Sequence, residues 1–145
     1  YFYPTMTMFF SRNDSVENMI ISGLVDTIGL YIVPTEFHKT IAKAWLDFLG
    51  KDYSNKRFED LTAGQQRIVL VIRAIVKQPA LLILDEPTVG LDDENAQLFT
   101  ALINQLVALK NMAIIYISHR EEPNLKPQKI MQLVAGEEGS INVVL

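Results

Sequence analysis

The sequence predicts an α/β fold: a parallel sheet, a helical unit ahead of it and an antiparallel β-hairpin behind it. Three observations predict it. Leu81–Leu84 and Ala113–Ile117 are short continuous apolar runs, the pattern of strands covered on both faces. Between them the pairs Leu98/Phe99, Leu102/Ile103 and Leu106/Val107 recur every four residues, the period of a helix. Residues 14–50 carry two helix-period stripes and no strand pattern. Strand, helix, strand with a linker of that length is a βαβ unit, in which the strands run parallel.

With 145 residues and 49% hydrophobic content, the chain can bury one modest core, as one domain or a large fragment of one. Thirteen Lys and Arg stand against 17 Asp and Glu, for a net charge of −4. That balance argues against a surface that wraps nucleic acid, so nucleic acid is not an expected partner. It leaves room for a phosphate site, because a few backbone N–H groups bind an anion without net positive charge. The absence of cysteine excludes disulfides and thiolate metal sites. Runs such as Ala80–Leu84 are far shorter than the roughly 20 residues a bilayer requires. The start, Tyr1-Phe2-Tyr3-Pro4, has neither a basic leader nor an initiating Met, as expected of a chain cut from something longer. The expected location is cytoplasmic.

Residues 1–13, aromatic and Met-rich, show no period. Asp14 and Glu17 have the spacing of a capping pair, and Val16, Met19, Ile20, Leu24, Val25 and Ile28 follow at helical spacing. Pro34-Thr35 opens a second helix striped by Phe37, Ile41, Ala44, Trp45, Phe48 and Leu49, and Gly50 stops it. Lys51–Asp60 is polar and predicted as a loop. Residues 1–60 thus form a helical subdomain, and 61–145 the sheet-bearing part. Gln65–Gln78 is apolar almost all round. Val69-Leu70-Val71-Ile72 suits a strand by propensity, but the length and the Pro79 stop favour a buried helix. Asp92 or Asp93 caps the helix of the βαβ unit. Gln128–Val134 and Ile141–Leu145, around a Gly136–Gly139 turn, predict the closing hairpin.

The chemistry gathers at strand ends. Asp85-Glu86-Pro87 follows the first strand, and ligands of open parallel sheets bind beyond the carboxyl ends of the strands. Two adjacent carboxylates can divide the work between a hard cation and a proton or water. They would equally serve to end a strand and cap a loop. The second strand ends in Ser118-His119, which places an imidazole at the same edge. Either motif alone is weak; their coincidence at one edge carries the weight. Upstream, Leu61-Thr62-Ala63-Gly64-Gln65-Gln66 is a small-residue turn feeding the buried helix. Such a turn suits an anion at a helix N-terminus, or a plain N-cap by Thr62.

In this order the motifs are specific. Leu61-Thr62-Ala63-Gly64-Gln65 resembles the LSGGQ signature of ATP-binding cassette (ABC) ATPases, and Leu81–Glu86 with Pro87 resembles their Walker B strand. Gly90-Leu91-Asp92 resembles their D-loop, and His119 falls where their switch histidine sits. The likeness covers about residues 60–120. The segment Ile21–Tyr31 is similar to one in the tandem ATP-binding proteins named for molybdate transport or photorepair. The resemblance implies the C-terminal part of a P-loop NTPase fold, with ATP sandwiched between two domains. It implies that Asp85 helps hold Mg²⁺, Glu86 polarises the attacking water and His119 registers the γ-phosphate. It further implies that Thr62, Ala63, Gly64 and Gln65 bind the nucleotide of a facing domain, while Asp92 couples the two sites. Implied partners are the Walker A half of the same domain, a second ABC ATPase domain and a membrane permease subunit.

The sequence departs from the family at three points. Ala63 replaces the first glycine of the signature, and its Cβ restricts φ, whereas Thr62 keeps the hydroxyl. No G-x-x-x-x-G-K-[ST] stretch occurs, so the usual cradle for the β- and γ-phosphates is missing. No glutamine precedes Gln65, and no Q-loop is found. The chain by itself is therefore expected to be inactive. Besides a transport ATPase, the motifs allow a soluble ABC protein of repair or translation. They also allow a degenerate, non-hydrolytic interaction module, which Asp85, Glu86 and His119 disfavour.

Overall fold

A computed structural model describes residues 14–135 and 141–144. Helix α1, Val16–Leu24, is capped by the Ser15 hydroxyl, which accepts from the Asn18 amide at 3.1 Å. The expected Asp14/Glu17 pairing does not form the cap; Ser15 sits one residue closer to the first turn. The expected extension to Ile28 also fails. Asp26 takes a left-handed φ of 54°, and Ile28 lies 53% exposed beyond the helix end. A helix cannot run through a left-handed residue, whatever the spacing of its apolar neighbours.

Helix α2, Glu36–Leu49, is capped by Thr35 with a reciprocal bond from the Thr35 amide to His38 Nδ1, and ends at Gly50. It packs on α1 with a narrow face. Ala42 and Leu49 are buried, whereas Phe37, at the start of the predicted stripe, is 67% exposed. The polar loop 51–60 is more ordered than its composition suggests. Tyr53 and Phe58 drop into the core, Phe58–Asp60 form a 3₁₀ turn, and the Phe58 amide donates to the Asp14 carbonyl at 2.8 Å.

Helix α3, Ala63–Ile75, resolves the helix-or-strand ambiguity in favour of the helix and is the hub of the molecule. Ile68, Val69, Leu70, Val71, Ile72 and Ile75 are buried on nearly all sides of it. Strand β1, Leu81–Asp85, pairs parallel with β2, Ala113–Ile117, in the register Leu81 to Ala113 through Asp85 to Ile117. Helix α4, Asp93–Leu109, connects them, so the βαβ unit forms as expected. Phe99, Leu102 and Ile103 of α4 join Met19, Ile20, Ile68 and Ile72 in one continuous core.

The strands are not covered on both faces. Leu82 and Leu84 are buried, but Leu81, Ile83, Ile115 and Ile117 of the opposite face are 44–55% exposed. Continuous apolar runs record a demand for two covers, and the described residues supply one. Strands β3, Gln132–Ala135, and β4, Ile141–Val144, form the antiparallel hairpin. β3 starts four residues later than predicted; the Gly136–Gly139 turn, residues 1–13 and Leu145 lie outside the described residues.

Candidate active site

Asp85 is the last residue of β1 and is exposed at its carboxyl end. Glu86 follows with a left-handed φ of 45°, a conformation uncommon for a residue with a Cβ and often found at functional sites. Its amide still donates to the Ile117 carbonyl at 3.0 Å, so the residue is fixed to the end of β2. The Glu86 carboxylate accepts from the His119 backbone N–H at 2.6 Å, and His119 Nε2 stands 3.7 Å from the same oxygen. The imidazole is 93% exposed, open to whatever lies beyond the edge. The structure thus brings Glu86 and His119 into contact from two neighbouring strand ends, with Asp85 next to them in the chain.

The small-residue turn lies elsewhere. Thr62 caps α3, accepting from the Gln65 amide at 3.3 Å, and Gln65 Oε1 accepts from the Thr62 amide at 3.1 Å. Thr62 and Ala63 are exposed, and Gly64 is buried. A Cβ on Gly64 would lie 3.2 Å from both the Asn95 side-chain nitrogen and Leu91 Cδ2, so glycine lets α3 approach α4 closely here. Asp92 caps α4, accepting from the Asn95 amide at 2.8 Å. That bond, then those from the Asn95 side chain, hold the Asp92 carboxyl below the usual aspartate range. The turn and Asp92 therefore share a neighbourhood, distinct from the contact of Glu86 with His119.

Residues not singled out from the sequence connect the two places. Arg67 of α3 donates to the Pro87 carbonyl at 3.1 Å and to that of Val89, which pins the loop after Glu86 to the helix after the turn. The Thr88 hydroxyl donates to the Glu122 carboxylate and lies 3.5 Å from the Tyr116 hydroxyl. Burial pushes the Tyr116 phenol up to about 12, with the charges of Glu122 and Glu86 acting the same way. Nothing in the spacing of these residues marks them, because each acts across more than 19 positions of chain.

Among the described residues, no group of three or more His, Cys, Asp or Glu side chains could by itself hold a metal ion. A single exposed carboxylate at a strand end fits Mg²⁺ only when phosphate oxygens and water complete the shell, the usual mode for that ion.

The parallel βαβ unit presents acid groups and an imidazole at its carboxyl edge, and its likeness to solved cassette structures gives it the P-loop NTPase-like architecture of an ABC ATPase cassette. The family follows from comparison: residues 4–89 match the model of the ABC transporter family, and the chain belongs to that family. It is 40% identical over 110 residues to the ABC transporter ATP-binding protein ModF of Escherichia coli, covering 74% of this chain and 22% of ModF. An inward-facing metal-chelate type ABC transporter superposes with a TM-score of 0.62 at 30% identity, over 77% of this chain and 46% of that one. CbiO1 of Clostridium perfringens, part of an ABC transporter complex, superposes at 0.60 with 26% identity, over 79% and 44%. The chain thus spans less than half the length of each of these relatives.

Proposed function

We propose that this chain is the signature-to-switch portion of an ATPase domain that hydrolyses magnesium ATP, as one of two domains paired head to tail, to power transport. The observation that carries the proposal is the contact of Glu86 with His119 at the carboxyl edge of the parallel strands. Residues 1–60 act as the helical subdomain and 61–145 as part of the catalytic core.

In this reading Asp85 helps hold Mg²⁺, which would neutralise charge on the phosphates. Glu86 accepts a hydrogen bond from the attacking water and orients it. His119, with its ring open to solvent, contacts the terminal phosphate. Thr62, Ala63, Gly64 and Gln65 present the start of α3 to the nucleotide of the facing domain, where backbone N–H groups and the helix dipole favour an anion. Asp92 lies beside them and meets that domain too. Phosphoryl transfer asks little covalent chemistry of the protein and much positioning, which the Glu86–Ile117 and Arg67–Pro87 bonds provide.

Three partners complete the machine. The Walker A half of the domain supplies the phosphate cradle that is absent from these 145 residues. A second ATPase domain supplies the facing site. A membrane permease subunit contacts the helical subdomain, where Ile28, Tyr31, Val33 and Phe37 leave an exposed apolar stretch from the end of α1 into the first turn of α2. The assembly then sits at the cytoplasmic membrane face.

The test is Glu86→Gln in a protein that joins this chain to its Walker A portion. Turnover is expected to fall about 10²- to 10⁴-fold, the usual contribution of a positioned base, with nucleotide binding retained. An unchanged turnover number removes Glu86 from the role.

A further inference from the structure

We propose that Asn95 is a positioning residue: its buried amide holds the Asp92 carboxylate beside the Thr62–Gln65 turn, tying together the two surfaces that meet a facing ATPase domain. The inference rests on the reading of Asp92 and of the turn given above.

Buried polar side chains among the described residues are Ser22, Asn95 and Thr100. Thr100 bonds back to its own helix, at the Ala96 carbonyl, and Ser22 to the Met19 carbonyl while also accepting from Arg73. Asn95 differs, because it gathers three segments. Its side-chain nitrogen lies 3.0 and 2.8 Å from the two Asp92 carboxylate oxygens, and its backbone N–H donates to one of them at 2.8 Å. Its Oδ1 accepts from the Tyr53 hydroxyl at 3.3 Å, and Tyr53 itself is 2% exposed in the loop before α3. Since a carboxylate only accepts, the amide orientation is settled by chemistry: nitrogen toward Asp92, oxygen toward Tyr53.

Capping α4 needs only the bond from the Asn95 backbone. The two contacts of the amide are surplus to the cap, and what they add is rotamer control. Asp92 is exposed and would otherwise sample several side-chain orientations. Gripped from one buried side, it presents one orientation outward. The grip is registered against the turn, because the amide nitrogen stands where a Gly64 Cβ would be only 3.2 Å away. Any shift of the turn moves Asn95, and any shift of Asn95 moves Asp92.

The test compares Asn95→Asp, Asn95→Ala and Tyr53→Phe in the protein that joins this chain to its Walker A portion. Asn95→Asp keeps the shape and adds a charge that a helix N-terminus tolerates, but it cannot donate. Both Asn95 variants are expected to lower kcat for ATP about 10- to 100-fold while KM changes by less than about threefold, since the cradle that sets affinity is elsewhere. Tyr53→Phe is expected to act in the same direction by a smaller factor. Adding Asn95→Ala to Asp92→Ala is expected to cost nothing further, because the two act as one unit. Unchanged kcat in all three variants, or additive losses in the double variant, overturns the proposal. If the unsubstituted protein fails to hydrolyse ATP, the ATPase reading falls and the role of Asn95 in turnover falls with it. A carbon-13 titration of the Asp92 carboxyl in the same joined protein separates the two failures. Its midpoint is expected below the ordinary aspartate value and higher in Asn95→Ala; an immobile midpoint shows that Asn95 does not hold Asp92.

Discussion

At the scale of single residues, the proposed site and the stability of the fold draw on the same few groups. Glu86 is held in a left-handed conformation by a backbone bond to β2 and by the loop that Arg67 pins. Tyr53 is the buried end of the Asn95 grip. Burial first, then the charges of Asp52, Asp92 and Glu94, push its phenol from 10.0 up to about 12. A raised acid favours the fold while it stays protonated. The contribution is complete below pH 10, and it is lost as pH rises from 10 toward about 12, where the unfolded chain ionises first. Denaturant midpoints measured across that interval are expected to fall with pH, and Tyr53→Phe is expected to flatten part of the fall. Tyr116, also raised to about 12, is expected to contribute to the fall in the same way. A midpoint indifferent to pH between 10 and 12 contradicts the burial of both phenols.

At the scale of elements, α3 decides the architecture. It carries the turn at its start, a face against α1 along its length and Arg67 reaching the strand-end loop. The packing with α1 is close enough that a Cβ on Gly23 would fall 2.3 Å from the Arg73 carbonyl, which cannot be relieved without moving a backbone. Arg73 also donates to the Ser22 hydroxyl at 3.0 Å and to the Thr27 carbonyl at 2.7 Å, so the same contact is polar at one end. Gly23→Ala is therefore expected to destabilise the chain by about 1–3 kcal/mol, the cost of overpacking. Thermal or denaturant unfolding measures it, and a neutral Gly23→Ala shows that α1 can slide on α3.

At the scale of the whole molecule, the open face of β1 and β2 is the main feature. Among the described residues, Leu81, Ile83, Ile115 and Ile117 present an apolar strip on a sheet of two strands, fewer than the three or more that independent stability usually requires. The proposed Walker A portion is the natural cover. The chain alone is expected to bind a hydrophobic dye and to lose that binding when the Walker A portion is supplied. Ile83→Lys is expected to prevent the rescue. The same experiment checks activity. The chain alone is expected to hydrolyse no ATP, and turnover that survives repurification by ion exchange contradicts the division of labour.

The βαβ unit, the buried helix after the turn and the order of the motifs were legible in the sequence, because each rests on local period or on residues adjacent in the chain. Thr62, Asp85, Glu86, Asp92 and His119 could be singled out for the same reason. The end of α1 was not legible, since Asp26 leaves the helical region while its apolar neighbours keep helical spacing. The loop 51–60 misled for the opposite cause: polar neighbours hid Tyr53 and Phe58, whose burial depends on segments far along the chain.

What the sequence determined by itself was therefore the kind of element at most places and the residue types delivered to the strand ends, through periodicity and adjacency in the chain. Only the tertiary structure decided that Glu86 meets His119, that Asn95 stands against Tyr53 and Gly64, and that, among the described residues, one face of the strands is left open. Those outcomes are contacts between residues dozens of positions apart, or depend on what covers a surface. Local spacing carries no information about either.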